Sequence, residues 1–297
     1  MPLLRGTRPL KRWRYVAIFC EELMACAATV QVGPARQTFW AVLLRGEQPG
    51  SGPRLLERTR LLPRRGVVEL DPGRLLIHDT PAGLSRSSPG QFDPALRRTA
   101  GHRGAHRPEV TLDLQLDEDR GIETVCPHGE KHGEGGDYVW TRKQAGLAAR
   151  GVVVIGRGSP RVIEALAVID DTAGYHARST EWHWAAGVGV NPEGVQLAFN
   201  LVAGVNDPPS GSERTVWVAG QPHEVGPVSF APDLSRVTAA DGSVLGFTAE
   251  AQRNRHENLL LVRSEYCAPF GVFGGVLPGG IALAQGLGVM EYHRARW

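Results

Sequence analysis

Apolar and polar residues alternate along this chain with a period of two far more often than with a period near 3.6. Val110, Leu112, Leu114 and Leu116 interleave with Thr111, Asp113, Gln115 and Asp117, the pattern of a strand buried on one face. Patterning, with β-branched and aromatic content between turn signals, predicts further strands over about 13–20, 24–32, 38–45, 66–70, 74–79, 121–126, 137–143, 147–155 and 162–169. The series continues over about 180–190, 194–205, 213–219, 225–230, 243–252, 257–266, 270–277 and 280–291. Residues 53–62 and 93–98 are the best helical candidates, both short and near proline, and 46–64 and 80–108 read as long loops. No helical rhythm supplies crossovers for a parallel sheet, so the expected class is all-β, with antiparallel sheets closed into barrels or stacked as sandwiches.

One hairpin can be registered. The turn Asn191-Pro192-Glu193-Gly194, closing Val190 onto Val195, places Trp182, Trp184, Ala186 and Val188 on one face with Leu197, Phe199, Leu201 and Ala203. Glu181, His183, Ala185 and Gly187 then share the other face with Gln196, Asn200 and Val202. The glycine-rich run over residues 269–280 suggests a bulged or bent strand where backbones or a ligand approach closely.

The chain has 297 residues, 42% of them hydrophobic and 22% charged, the composition of a globular protein of two domains or one large β architecture. Of 33 basic residues only Lys11, Lys131 and Lys143 are lysines. Residues 1–107 carry 18 Lys/Arg against 8 Asp/Glu and the remainder 15 against 23, so the two parts are oppositely charged. No nucleic-acid motif accompanies the arginines, and Arg54, Arg58, Arg60, Arg64 and Arg65 read as ordinary solvated side chains or as part of a face on which the two oppositely charged halves dock, so no nucleic-acid partner is expected. Cys20, Cys26, Cys126 and Cys267 form no framework of paired spacings, the N-terminal apolar run is broken by Glu21 and Glu22, and no stretch is long enough to span a membrane. The expected location is the cytoplasm, with at most peripheral membrane contact.

The densest chemistry lies over residues 170–184. Glu181 and His183 stand two apart on a strand, about 7 Å between Cα atoms, where a carboxylate can orient an imidazole or share its proton. Asn200 on that face would hold a substrate oxygen, and the small residues Ala185, Gly187 and Ala198 suit a cavity lining. The plain alternative is a polar outer face with a tryptophan-lined core behind it. Tyr175 and His176, in the preceding turn, reach a barrel mouth on either side, with Arg178 in the same turn, while Asp170 and Asp171 read as caps of that turn. The expected catalytic residues are therefore Glu181, His183 and Tyr175, with His176, Arg178, Trp182, Trp184 and Asn200 as ligand contacts. The tryptophans face away from Glu181 and His183 in this register, so a bulge is needed for all to line one cavity. Cys126, His128, Glu130, His132 and Glu134 lack zinc-site spacing, Gly156 to Ser159 lack the phosphate-loop lysine, and no cofactor or metal is expected. Glu291 and His293 repeat the two-apart spacing, but read as part of a terminal strand.

Several segments resemble one family: residues 11–15 (KRWRY), 138–146 (YVWTRKQAG), 170–189, 200–209 (NLVAGVNDPP), 213–217 (ERTVW), 257–264 (ENLLLVRS) and 291–297. Together they are similar to the family of domain of unknown function 2804, an actinobacterial type, over nearly the whole chain. More distantly the chain resembles the lipocalin-like proteins that include carotenoid 1,2-hydratases and tocopherol cyclases. That kinship implies two calycin-type antiparallel β-barrels, divided here as 1–158 and 159–297, around a hydrophobic small molecule. It implies either a cofactor-free hydratase, cyclase or isomerase or a noncatalytic lipid or isoprenoid carrier. A carbohydrate-handling β-sandwich is the third alternative, without a persuasive pair of acids.

Overall fold

The computed structural model describes residues 1–46, 52–61, 66–79, 110–128, 137–259 and 262–296. Among these residues there is no helix, and every sheet is antiparallel. A short ribbon pairs β1 (Leu4–Arg5) with β2 (Arg8–Pro9). The first large sheet contains β3 (Lys11–Phe19), β4 (Leu23–Val32), β5 (Ala35–Leu44), β6 (Arg54–Leu61), β7 (Val68–Glu69), β8 (Arg74–Asp79), β9 (Val110–Leu116), β10 (Ile122–His128), β11 (Asp137–Ile155) and β12 (Arg161–Gly174). The second contains β13 (Ser179–Val190), β14 (Gln196–Ala203), β15 (Thr215–Val218), β16 (Gln221–Glu224), β17 (Val228–Phe230), β18 (Arg236–Ala239), β19 (Val244–Leu259), β20 (Val262–Leu277) and β21 (Ile281–Arg296).

The two sheets are wound alike. The first runs β6-β5-β4-β3-β12-β11-β9-β8-β7, with β10 added beside β11, and the second β16-β15-β14-β13-β21-β20-β19-β18-β17. In each, the closing strand returns to pair with the opening one, β12 with β3 and β21 with β13. Each sheet also curls on itself, β7 lying against β4 and β5, and β17 against β14. The result is two lipocalin-like half-barrels, the all-β architecture expected.

Three apolar layers follow. Val16, Ile18, Trp40, Leu75, Leu112 and Leu114 fill the first half-barrel, and Leu197, Phe199, Leu201, Val237, Phe273 and Met290 the second. Tyr15, Phe19, Met24, Trp184, Val188 and Phe270 form a third layer between the sheets. Strands β3, β4 and β13 are therefore apolar on both faces, which is why they read as nearly continuous hydrophobic runs. Val110 to Leu116 behaves as its alternation predicts, its four aliphatic residues buried and Gln115 exposed.

Several expectations change. The segment 53–62 forms strand β6 rather than a helix, and 93–98 lies outside the described residues, as does the expected loop 80–108. Arg58 and Arg60 are not solvated surface groups. They point into the first half-barrel and pair with the buried Asp79, which also accepts a 2.9 Å hydrogen bond from Trp40 Nε1. Arg64 and Arg65 lie outside the described residues. The chain leaves the first sheet at Gly174, later than the 158/159 division, because β12 completes that sheet by pairing with both β3 and β11. Asp170 and Asp171 accordingly sit within a strand and not in a turn.

The β13–β14 hairpin is shifted by one residue, with Val190 opposite Gln196 and His183 opposite Ala203. Asn191 makes the difference: its Oδ1 accepts from the N–H groups of Glu193 and Val195, and its own N–H donates to Val195 O, so five residues form the loop. Because side chains alternate, the shift moves all of β14 to the other face. Asn200 and Val202 join Trp184, while Leu197, Phe199 and Leu201 join His183. On that inner face Gly187, Gly288 and Gly271 form a row across β13, β21 and β20, and the rings of Phe199, Phe273 and Phe247 lie against them.

Candidate functional site

Each sheet turns one face toward the other, and alternation decides which side chains those faces carry. From the first sheet come Trp13 and Tyr15 on β3, Phe39 on β5, Lys143 on β11 and Asp170 on β12. From the second come Trp182 and Trp184 on β13, Tyr266 on β20, and Glu291 and His293 on β21. Together they line a cavity of about 350 Å³, of the size that holds a small organic ligand. The cavity belongs to the layer between the half-barrels, whereas a calycin-type reading places it inside a barrel.

The shared winding duplicates a polar motif. On β3 and β12, Trp13 faces Thr172 and Tyr15 faces Asp170; on β13 and β21, Trp182 faces His293 and Trp184 faces Glu291. In both sheets the first tryptophan donates its indole N–H diagonally to the acid: Trp13 Nε1 to Asp170 Oδ2 at 3.1 Å, and Trp182 Nε1 to Glu291 Oε1 at 2.8 Å. The two indoles stack, 6.4 Å apart and 8° from parallel.

The acids differ in their counter-charge. Asp170 receives Lys143 Nζ at 2.7 Å and the Thr172 hydroxyl at 2.9 Å. Lys143 also reaches Glu213 at 3.3 Å. Burial opposes the lysine's charge, yet the two carboxylates outweigh it and hold Lys143 above the usual lysine range. Glu291 has no ion pair among the described residues. Burial in this aromatic setting raises its carboxyl to about 7, in spite of hydrogen bonds from Trp182 and Tyr266 that favour the charged form. Glu291 is thus half protonated near neutrality, the condition suited to a general acid.

His293 shares that strand face. Its Nε2 lies 2.9 Å from Ser264 Oγ, and its ring packs edge-on against Trp182 and Tyr266. Burial, assisted by the Lys11 ammonium, lowers it to about 3, so the imidazole is neutral at pH 7. Lys11 itself is pushed down to about 7 by burial and by Arg8.

Of the residues singled out from sequence, Trp182, Trp184 and His176 line the cavity, with His176 against Trp13 at 5.2 Å. Asn200 is buried on the Trp184 face, where its Oδ1 accepts the Trp184 indole N–H at 2.7 Å and its Nδ2 donates to Glu213 O. It fixes a cavity wall and does not accompany Glu181 and His183. Tyr175 is buried outside the cavity lining, its hydroxyl donating to Pro2 O. Arg178 is exposed in a separate hollow with Arg263 and Arg296. Glu181 is exposed and accepts from the Tyr292 hydroxyl, while His183 is half-buried against Phe230 and Tyr292. These two point away from the cavity because the tryptophans on either side of His183 point into it.

Sequence reasoning noted the spacing of Glu291 and His293 but assigned it to a terminal strand, and it did not single out Lys143, Glu213 or Tyr266 for this site. One signal was present: in a chain that uses arginine almost everywhere, two of the three lysines are buried, Lys143 in the cavity wall and Lys11 near enough to His293 to act on its charge. Among the described residues no group of three or more His, Cys, Asp or Glu is arranged to hold a metal, and no helix is long and apolar enough to cross a membrane. Residues 129–136 of the Cys126 segment lie outside the described residues.

No curated protein matches the chain. Among solved structures, kievitone hydratase from Nectria haematococca shares the fold, with 9% identity and a TM-score of 0.51 over 98% of this chain and 93% of that one. A protein with the provisional name AttH from Nitrosomonas europaea is 13% identical, with a TM-score of 0.48 over 98% of both chains. CghA is 9% identical, with a TM-score of 0.41 over 97% and 88%. A family model described as Domain of unknown function (DUF2804) matches residues 3–297, and the chain belongs to that family.

Proposed function

We propose that this protein binds an unsaturated, largely apolar small molecule between its two half-barrels and performs cofactor-free acid–base chemistry on it, with Glu291 as the proton carrier. The observation that carries this reading is a carboxyl buried in an aromatic cavity and raised by that burial to about 7, with no ion pair to it among the described residues. In a hydration, the Glu291 O–H gives its proton to one alkene carbon and the π pair forms the new C–H bond. The neighbouring carbon becomes electron-poor and is stabilised by the faces of Trp182, Trp184 and Tyr266. A water oxygen then bonds to that carbon and its proton passes to the Glu291 carboxylate, which restores the acid. Neutral His293, held by Ser264, orients the water. Loss of a proton from an adjacent carbon in place of water attack gives isomerisation, and attack by a second π bond gives cyclisation. The name of kievitone hydratase denotes a hydration by a protein of this architecture, which agrees with the reading.

The test is incubation in D2O with a panel of polyprenyl alkenes and aryl enones, with deuterium on carbon read by mass spectrometry. Incorporation by the wild type that falls by about 10² or more in Glu291→Gln is expected. Tryptophan quenching by the same compound should persist in the variant. Binding without incorporation by the wild type overturns the enzyme reading and leaves a carrier.

A further inference from the structure

The segment 204–214, between β14 and β15, brings Asn206 and Glu213 into the cavity wall. It is tied down from within. The Gly204 N–H donates to Asp207 Oδ2 at 2.8 Å, and the buried Arg214 guanidinium donates to the backbone oxygens of Asp207 at 3.1 Å and Pro208 at 2.6 Å. Asn206 has a left-handed backbone, φ +51°, a conformation that asparagine tolerates better than most residues. A guanidinium buried against two loop carbonyls fixes the backbone on which Asn206 stands.

Asn206 and Glu213 end in one polar cluster. Asn206 Nδ2 donates to Glu213 Oε2 at 3.4 Å, and Glu213 Oε1 meets Lys143 Nζ at 3.3 Å. The first of these contacts orients the amide. With Nδ2 turned to the carboxylate, Oδ1 is the other end, and it is buried and accepts no hydrogen bond among the described residues. The residue as a whole is 6% exposed, so bulk water does not serve it. A buried carbonyl oxygen without a donor is unfavourable, and native structures pair nearly all such atoms with protein, ordered water or a ligand.

We infer that the ligand carries an uncharged hydrogen-bond donor, a hydroxyl, and that its O–H donates to Asn206 Oδ1. A hydroxyl fits better than an ammonium because Lys143 already sets a positive charge against Glu213. The anchor lies within a small molecule's reach of the proton carrier. Glu291 and Val202 flank Trp184 on neighbouring strands, two strand spacings or about 10 Å apart, and Asn206 follows in the loop after β14. The Asp170 charge opposes ionisation of both Glu213 and Glu291, so both acids lie in its field. This rests on the cavity being the ligand site, as the functional reading holds, and adds the polar group by which the ligand is oriented toward Glu291.

The test uses para-pentylphenol, para-pentylfluorobenzene and para-pentylbenzylamine, each titrated against the fluorescence of the cavity tryptophans. Fluorine fills the place of the hydroxyl without a hydrogen to donate, and it leaves the molecule less polar, so transfer from water alone favours the fluoroarene. The expected result is the reverse: the phenol binds more tightly than the fluoroarene by about threefold or more, and more tightly than the amine. In Asn206→Gly, which accepts the left-handed backbone without strain, the phenol's advantage over the fluoroarene should fall by about tenfold. A fluoroarene that binds as tightly as the phenol overturns the anchor while the acid–base reading stands, and so does an advantage that persists in the folded variant. An amine that binds more tightly than the phenol overturns the hydroxyl. No binding of any probe overturns the anchor together with the cavity as ligand site. The wild-type comparison decides the matter even where the variant fails to fold.

Discussion

Replacing Glu291 by Gln tests the electrostatics of the site without a substrate. Glutamine keeps an acceptor for the Trp182 indole and fills the same space, but it cannot ionise. In the wild type the carboxyl titrates near 7 in the folded chain, against 4.5 for an ordinary glutamate. Between those values the folded state holds the extra proton, so this group's contribution to stability is fully present below about pH 4.5 and is lost as pH rises through 7. Taken between pH 5 and pH 8, the loss is about 2.5 kcal/mol. His293 and Lys11 carry shifts that act in the opposite direction, stability rising with pH through their own intervals, and both remain in the variant. Subtracting the variant's profile from the wild type's therefore isolates Glu291. Urea unfolding of both proteins at pH 5, 6, 7 and 8 is the assay, and the variant should gain on the wild type by about 2.5 kcal/mol across that range. Parallel profiles would refute the argument, because they would mean that Glu291 ionises in the folded chain as it does in the unfolded one.

Two further outcomes follow from the packing. Asp79→Asn should remove the buried carboxylate that Arg58 and Arg60 both meet inside the first half-barrel and cost about 3–5 kcal/mol, read from the shift in denaturant midpoint; a loss below 1 kcal/mol would mean that those guanidinium groups are satisfied without it. Gly288→Ala would put a Cβ 2.3 Å from Ala186 O and 2.9 Å from the Phe273 ring, so overpacking should cost about 1–3 kcal/mol; an unchanged thermal midpoint would show that β21 can shift away from β13.

How far the fold was legible depended on whether a strand has one buried face or two. Val110 to Leu116 has one, and its alternation located it. Strand β13 has two, so the hydrophobic pattern of Trp182 to Val188 could not choose between registers, and the decision fell to the Asn191 side chain, which lengthens the loop. Strand β6 misled for a different reason: Arg58 and Arg60 turn inward onto Asp79, which lies in the distant strand β8, so these two polar positions are as covered as Leu55 and Leu56. The candidate site was legible in its tryptophans but not in its acid. Glu291 and Glu181 have the same local signature, an acid two residues before a histidine on a strand. Only the pairing of β13 with β21, and the docking of one sheet on the other, makes the first buried and the second exposed.

The common winding order of the two sheets has a consequence for how such a site can originate and be altered. Were two identical chains to meet through this face, their acids would be equivalent by symmetry and neither could specialise. Within a single chain that equality is broken. Lys143 pairs with the acid of one half, and the acid of the other has no such partner among the described residues. The division of labour is carried by a lysine that need never touch a reacting atom. Moving that positive charge from the first half to the second would exchange which acid is ion-paired.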